Sequence, residues 1–201
     1  MKILVSSSVQ VVGKIYPNPK NPYIRELKID SFSIINQACL DISPRPRTAK
    51  NIFDPRLTDY CLRNRHLYMR NPQMMAIIRF RHKLMGILHG WFHKNHFIEV
   101  HTPILTTVPL YDDRSVIGLD FGGTQIFLSQ CAGFYLESIV HGLEKIYNIG
   151  PSFRGETSKS RRHLAEYWHV KVEIAWADRE DMFGFVEEMM YYIISECQAH
   201  C

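Results

Sequence analysis

No stretch of this 201-residue chain is apolar for more than a few residues. A membrane-crossing helix needs about 20, so no spanning segment is expected. The start, MKILVSSSVQVVGKIY, has no long apolar run after its lysine, and a signal peptide is not expected either. The five cysteines (Cys39, Cys61, Cys131, Cys197, Cys201) form no C-x-x-C pair. Cys197 and Cys201 stand beside His200 without a second pair of zinc ligands, so reduced thiols and a cytoplasmic location are expected. Internal repeats and low-complexity segments are missing too. So is the polar excess of a disordered chain, because 46% hydrophobic and 22% charged residues make an ordinary globular mixture. The length suits one good domain, or one domain and a fragment of another.

Charge is present but uneven. Residues 1–75 hold 12 Lys/Arg against 5 Asp/Glu, whereas residues 76–201 hold 12 against 15. A polyanionic partner for the first part and a plain solvated basic surface explain this equally well. Residues 3–15 and 24–35 are rich in β-branched side chains and read as strands, with YPNPKNPY as a turn region between them. Two strands do not close a core. Residues 40–60 read as a basic, irregular linker around Pro44, Pro46 and Pro55. Asn71 then suits a helix N-cap and Pro72 the first helical position. Ile77, Phe80, Leu84, Leu88 and Trp91 recur at spacings of three and four, which predicts a helix to about His93. Strands are expected at 97–100, 126–129 and 145–150, with a helix over 132–143. Asp178 is placed to cap a last helix whose inner face holds Met182, Phe185, Val186, Met189 and Ile193.

The stretch PSFRGETSKSRRHLAEYWHVKVEIAW reads as two antiparallel strands around a long basic loop. Arg154 and Glu156 are two apart on a strand and share a face. On the partner strand, Tyr167, His169, Lys171 and Glu173 share one face, and Glu166, Trp168, Val170 and Val172 the other. Arg161, Arg162 and His163 sit at the loop tip. A sheet floor with a fixed guanidinium and a cluster of cations suits a nucleoside triphosphate, because guanidinium forms forked bonds to phosphate oxygens. Tyr167 offers a face on which a base can stack. An ordinary surface hairpin with ion pairs remains the other reading of these residues alone.

FRGE, a loop and then RHLAEYW resemble motif 2 of the class II aminoacyl-tRNA synthetases, in the asparaginyl branch of the aspartate/asparagine/lysine group. A long helix followed by FIEVHTPIL (97–105), with Pro103 as the motif's proline, is similar to motif 1. NRHLYMRNP (64–72) resembles the segment that joins the anticodon-binding and catalytic domains. The resemblance covers nearly the whole chain. It implies an α+β fold, part of a class II antiparallel sheet flanked by helices, preceded by an OB-fold remnant. Residues 1–43 would be that remnant of the anticodon-binding domain, 44–70 a basic linker and 71–201 a partial catalytic domain. The implied activity is ligation of asparagine to tRNA with ATP and Mg2+. Arg154 would bind the α-phosphate and the amino-acid carboxylate, and Glu156 would contact ATP. Arg162, His163 and Leu164 would line the rest of the ATP site, and Tyr167 would stack on adenine. Asp112, Gln130 and Arg154 would meet the amino acid. The implied partners are asparagine tRNA and a second copy of the chain, with Pro103 at the interface around 76–105.

Some family features depart or are missing. The glycine-rich third motif with its ATP-gripping arginine, and the acid that holds the metal, have no counterpart before Cys201. The chain alone is therefore expected not to complete activation; an incomplete gene product, a split gene whose other part is a separate C-terminal fragment, and a relic stay open. The family's Thr-Glu-Gly-Gly stretch corresponds to Leu110, Tyr111, Asp112 and Asp113. Its Gln-Ser-Pro-Gln corresponds to Gln130, Cys131, Ala132 and Gly133, and the lysine of the aspartate enzymes is Leu136. Nothing at these positions pairs a buried carboxylate, which favours asparagine over aspartate. A non-catalytic nucleotide- or tRNA-binding paralogue and an asparagine-synthetase-like relative stay open. His89 and His93 are four apart on a helix but lack the glutamate of H-E-x-x-H, so satisfied helix histidines are expected rather than a metal site. Arg45, Arg47, Lys50, Arg56, Arg63 and Arg65 are candidates for contacts to the tRNA backbone.

Overall fold

A computed structural model describes residues 3–4, 6–38, 52–110, 115–158, 160 and 162–200. Asp112, with Tyr111 and Asp113, therefore lies outside the described residues, as do Arg45, Arg47, Lys50, Arg161, Cys39 and Cys201. The chain divides into two compact units, Met1–Arg79 and Phe80–Cys201.

The first unit begins with an antiparallel hairpin, β1 (Ser8–Asn18) and β2 (Asn21–Asn36). The turn is tighter than YPNPKNPY suggested. Asn18 Oδ1 accepts the N–H groups of Lys20 and Asn21 at 2.7 and 2.9 Å, closing the chain over two residues. Pro17 pairs opposite Arg25 at the end of the ribbon, where a missing N–H costs little. The register slips at Val12/Gly13, and a Cβ on Gly13 would stand 2.1 Å from the Lys28 carbonyl oxygen. Only glycine fits that bulge. The ribbon buries almost nothing: Tyr23 is 94% exposed and Ile15 71%. The expected irregular linker is ordered in its second part. It carries a 3-10 turn (Pro55–Leu57), α1 (Thr58–Arg63) and α2 (Arg65–Tyr68). Asp54 caps that turn by accepting the Arg56 N–H, which Pro55 inside a linker had obscured.

Helix α3 (Pro72–Lys94) starts where expected, with Asn71 Oδ1 accepting the Gln73 N–H at 2.9 Å. The boundary between the units falls within it. From Leu84 onward its apolar residues are covered, whereas Ile77 and Phe80 are 42% and 46% exposed, so the expected inner stripe is only half buried.

The second unit is built on β3 (Ile98–Glu99), β7 (Lys145–Phe153) and β8 (Glu166–Ile174), in the order β3-β7-β8. β3 runs parallel to β7, and β7 antiparallel to β8. A smaller antiparallel sheet orders β4 (Leu105–Thr106), β6 (Thr124–Leu128) and β5 (Gly118–Phe121). β7 passes straight through Pro151, joining the strand expected at 145–150 to the one expected from Pro151. The Phe153 N–H points away from β8, to the Ser129 carbonyl, and the Arg154 N–H points toward β8. Alternation turns the Pro151 nitrogen away from β8 as well, so no bond of that ladder is lost.

One face of β7–β8 packs Tyr147, Ile149, Val170 and Val172 against Leu88, Trp91 and Phe92 of α3 and against α5 (Arg179–His200). On the other face, α4 (Gly133–Leu143) sets Leu136 and Val140 on Ile146. Asp178 caps α5 in a reciprocal box, taking the N–H groups of Glu180 and Asp181 while Asp181 Oδ2 takes the Asp178 N–H. Tyr192 joins the inner face of α5, but Val186 is 45% exposed. The pattern 182, 185, 189, 192/193 follows the 3.6-residue period, and position 186 falls off its edge. No helix among the described residues is long and apolar enough to cross a membrane.

Tyr147 ties the core together. Its ring stacks on Phe92 at 4.1 Å between centroids. Its hydroxyl meets His89 Nδ1 at 2.9 Å and His93 Nε2 at 3.3 Å, and donates to Glu99 Oε2 at 3.4 Å. The two histidines of α3 thus share a phenol. Burial, and then the Glu99 charge and its hydrogen bond, push the phenol up to about 12. Folding keeps it protonated where the unfolded chain ionises near 10, so its contribution is complete below pH 10 and lost as pH rises toward 12. Tyr147→Phe should lower stability by about 1 kcal/mol at neutral pH. Thermal unfolding should also show the gap between wild type and variant narrowing from pH 10 upward.

Candidate active site

The open face of β7–β8 carries the polar side chains that the core face excludes. Asn148, Ser152 and Arg154 come from β7 and its end; Tyr167, His169, Lys171 and Glu173 come from β8. The hairpin continues past its strands through the Arg154 N–H, which bonds to the Ala165 carbonyl at 2.9 Å. The next residue must be glycine. The Gly155 N–H reaches the Ser115 carbonyl at 2.8 Å, and a Cβ on it would stand 2.9 Å from the Val116 carbonyl oxygen. This close approach to a backbone atom aims Arg154 and Glu156.

A cavity of about 570 Å³ opens here, and its walls include Arg154, Glu156, Arg162, His163, Leu164 and Tyr167. These six are the residues that the resemblance assigns to ATP, and the fold brings all of them together. Ser158 lines it too and was not singled out from the sequence. Its hydroxyl meets His163 Nδ1 at 3.0 Å and accepts the Ser160 N–H, while Ser160 Oγ accepts the Arg162 N–H. Serine hydroxyls bonding backbone two residues on are a known loop device, so the alternating serines of TSKSRR were the available signal.

Deeper on the same face, Ser152 Oγ lies 3.2 Å from His169 Nδ1. Burial, then the charges of Lys171 and Arg154, hold His169 below the ordinary imidazole value of 6.5.

Gln130 stands elsewhere. It borders a second cavity of about 340 Å³ with Thr106, Leu110, Cys131, Phe134 and Tyr135. It is 2% exposed, accepts the Leu110 N–H at 3.1 Å and donates to Ser115 Oγ at 2.7 Å. It thereby braces the residue whose carbonyl receives Gly155. Pro103 is exposed between β3 and β4. Among the described residues no group of three or more His, Cys, Asp or Glu could hold a metal ion.

The family model of class II tRNA synthetases (D, K and N) matches residues 58–201. The chain belongs to that family. It is 34% identical over 191 residues to an asparagine–tRNA ligase of Thermoplasma acidophilum, covering 95% of this chain and 42% of the relative. The Pyrococcus furiosus asparagine–tRNA ligase is also 34% identical, over 94% of this chain and 42% of the relative. Among solved structures, asparaginyl-tRNA synthetase from Pyrococcus horikoshii complexed with asparaginyl-adenylate superposes with a TM-score of 0.84 at 32% identity, over 96% of this chain and 43% of that one. A putative aspartyl-tRNA synthetase from Leishmania major shares the fold, at 21% identity and a TM-score of 0.80, over 99% of this chain and 40% of that one. The chain thus spans about 42% of the length of the curated relatives named here.

Gly155→Ala should cost about 1–3 kcal/mol, because a backbone carbonyl cannot yield as a side chain does. Thermal unfolding compared with Gly86→Ala, where a Cβ meets nothing within 4 Å, checks this.

Proposed function

We propose that this chain forms the ATP-binding part of an asparagine–tRNA ligase. The observation that carries the reading is the single cavity walled by Arg154, Glu156, Arg162, His163, Leu164 and Tyr167. The asparagine carboxylate oxygen attacks the α-phosphorus of ATP, the bond to the β-phosphate bridging oxygen breaks, and pyrophosphate leaves. The terminal ribose of asparagine tRNA then takes the aminoacyl group from the adenylate and releases AMP. Arg154 holds the α-phosphate and the attacking carboxylate, lowering the repulsion between two anions. Arg162 and His163 face the remaining phosphates, Glu156 contacts the nucleotide, and Tyr167 stacks on adenine. The work is positioning and charge stabilisation by groups already in place. Asp112 and Gln130 belong to the amino-acid side of the proposal, Gln130 as the brace of Ser115. Magnesium, when bound, would neutralise the phosphates.

Three further parts belong to this proposal. β8 is the outer strand of its sheet among the described residues, and its Trp168 is 53% exposed. An unpaired edge of this kind supports a separate C-terminal fragment that extends the sheet. Exposed Ile77, Ile78, Phe80, Ile98 and Ile104, together with Pro103, support a homodimer through 76–105. Buried thiols at Cys61 and Cys131, neither in a disulfide, support a cytoplasmic setting. Residues 1–43 as an OB-fold remnant and 44–70 as a basic linker complete the domain scheme.

Calorimetric titration with ATP tests the central reading. Arg154→Ala should weaken binding about 10- to 150-fold, the worth of one charge-assisted bond. Equal affinities would overturn it. Asparagine-dependent exchange of pyrophosphate into ATP should appear on addition of a C-terminal fragment, and robust exchange by the chain alone would remove the need for one.

A transfer RNA should bind with steep salt dependence, a little under one unit of slope per phosphate contact. Of the candidate linker cations, Arg56, Arg63 and Arg65 are described; Arg56 pairs with Asp54 and Arg63 with Asp59. Charge reversal at Arg63 and Arg65 should flatten the slope in a filter-binding series.

A further inference from the structure

Two serines with separate tasks close the basic loop of the larger cavity. Ser160 holds backbone: its Oγ accepts the Arg162 N–H at 3.2 Å, and its carbonyl accepts the His163 N–H at 3.4 Å. Ser158 holds a side chain: its Oγ lies 3.0 Å from His163 Nδ1, and both residues line the cavity. The same Oγ accepts the Ser160 N–H at 3.1 Å. A serine hydroxyl has one hydrogen and two lone pairs, so with one lone pair taken its hydrogen is free to point at Nδ1. That contact engages Nδ1 and leaves Nε2 as the nitrogen open to a ligand. Among the described residues the histidines that face a carboxylate are His89, His101 and His200, not His163. A carboxylate beside His163 would orient the ring too, but it would set a negative charge against a polyanion. A hydroxyl orients the ring without that charge.

We propose that Ser158 is a positioning residue that donates to His163 Nδ1 and so presents Nε2–H to the outer phosphates of ATP. The proposal rests on the ATP reading given above. With Nδ1 as acceptor, the hydrogen of the neutral ring sits on Nε2, which becomes a donor. A phosphate oxygen is an acceptor, and the opposite tautomer would meet it with a bare Nε2, lone pair against lone pair. The bond also holds the ring in one orientation before ATP arrives, so less freedom is lost on binding. It tolerates a change of protonation as well. When His163 takes up a proton, Nδ1–H donates to the remaining lone pair of Ser158 Oγ, and Nε2–H still faces the phosphates. Ser158 touches no phosphate in this scheme and acts through His163. Its effect therefore belongs to the phosphates beyond the α-phosphate that Arg154 holds.

Calorimetric titration of the full chain with ATP and with AMP tests this in wild type, Ser158→Ala, Ser158→Thr, His163→Ala and the Ser158→Ala/His163→Ala double variant. Ser158→Ala should weaken ATP about 3- to 10-fold, the worth of one neutral hydrogen bond. It should leave AMP, which lacks the outer phosphates, within about twofold. Ser158→Thr keeps the hydroxyl and should recover most of the loss. In the His163→Ala background the serine substitution should cost nothing further, because the residue through which it acts is gone. A serine that only braced the loop through the Ser160 N–H would weaken ATP equally with and without His163. Two-bond 1H–15N spectra of 15N-histidine-labelled chain at mildly alkaline pH should show the His163 hydrogen on Nε2. Ser158 and His163 are exposed, so the variants should keep the wild-type melting profile. Unchanged ATP affinity in Ser158→Ala, an equal loss without His163, an equal loss for AMP, or the hydrogen on Nδ1 would overturn the positioning role while ATP binding stands. Failure of wild type to bind ATP would instead overturn the underlying reading, and this proposal with it.

Discussion

The arrangement of the second unit depends on strict side-chain alternation along one antiparallel hairpin. β7 and β8 bury Tyr147, Ile149, Val170 and Val172 on one face and present Ser152, His169, Lys171 and Glu173 on the other. Period two makes the division unavoidable once the register is set, because a slip of one residue would exchange core and site wholesale. The register is held at one end by β3, parallel to β7, and beyond the strands by the Arg154 bond to Ala165. Packing energy on one face therefore aligns the functional groups on the other, although those groups contribute little to the core.

The loop end of the hairpin follows a different constraint. Gly155 approaches the backbone at Ser115 and Val116 so closely that no side chain fits. Ser115 is fixed in turn by the Gln130 amide, whose other end holds Leu110. A buried polar side chain with both ends satisfied is a rigid brace. Gln130 reaches across from the strand–helix junction after β6 to the segment that receives Gly155. The cavity's arginine is thus positioned by the smaller sheet as well as by its own strand.

Charge on the floor is distributed rather than concentrated. His169 is held below the ordinary imidazole value by burial and then by the charges of Lys171 and Arg154, and Glu173 pairs with Lys171. The hairpin of the first unit contrasts with all this: it pairs regularly, yet leaves Ile15 and Tyr23 in solvent. Backbone pairing alone makes a ribbon, and burial requires a second layer.

Much of this was legible from local chemistry. The Asn71 and Asp178 caps, the start of α3, the two-strand reading around the basic loop, and the shared face of Tyr167, His169, Lys171 and Glu173 all follow from neighbouring residues and a fixed period. Six of the residues that wall the larger cavity are those that the resemblance to motif 2 assigns to ATP. What local chemistry left undetermined involves partners distant in the chain. A strand at 145–150 and another beginning at Pro151 were read separately; only the direction of the neighbouring bonds shows that the proline nitrogen faces away from the ladder and that the two are one strand. Ile77 and Phe80 fit the apolar stripe of α3, yet no layer covers them among the described residues. The sequence by itself determined the long helices, the Asn71 and Asp178 caps and the face each residue of the hairpin takes, because those depend on contacts a few residues apart. Tertiary structure alone decided that Gln130 braces Ser115, that Gly155 cannot carry a side chain and that Lys171 comes to lie beside Gly133, because each joins segments 15 to 40 residues apart whose meeting no local period encodes.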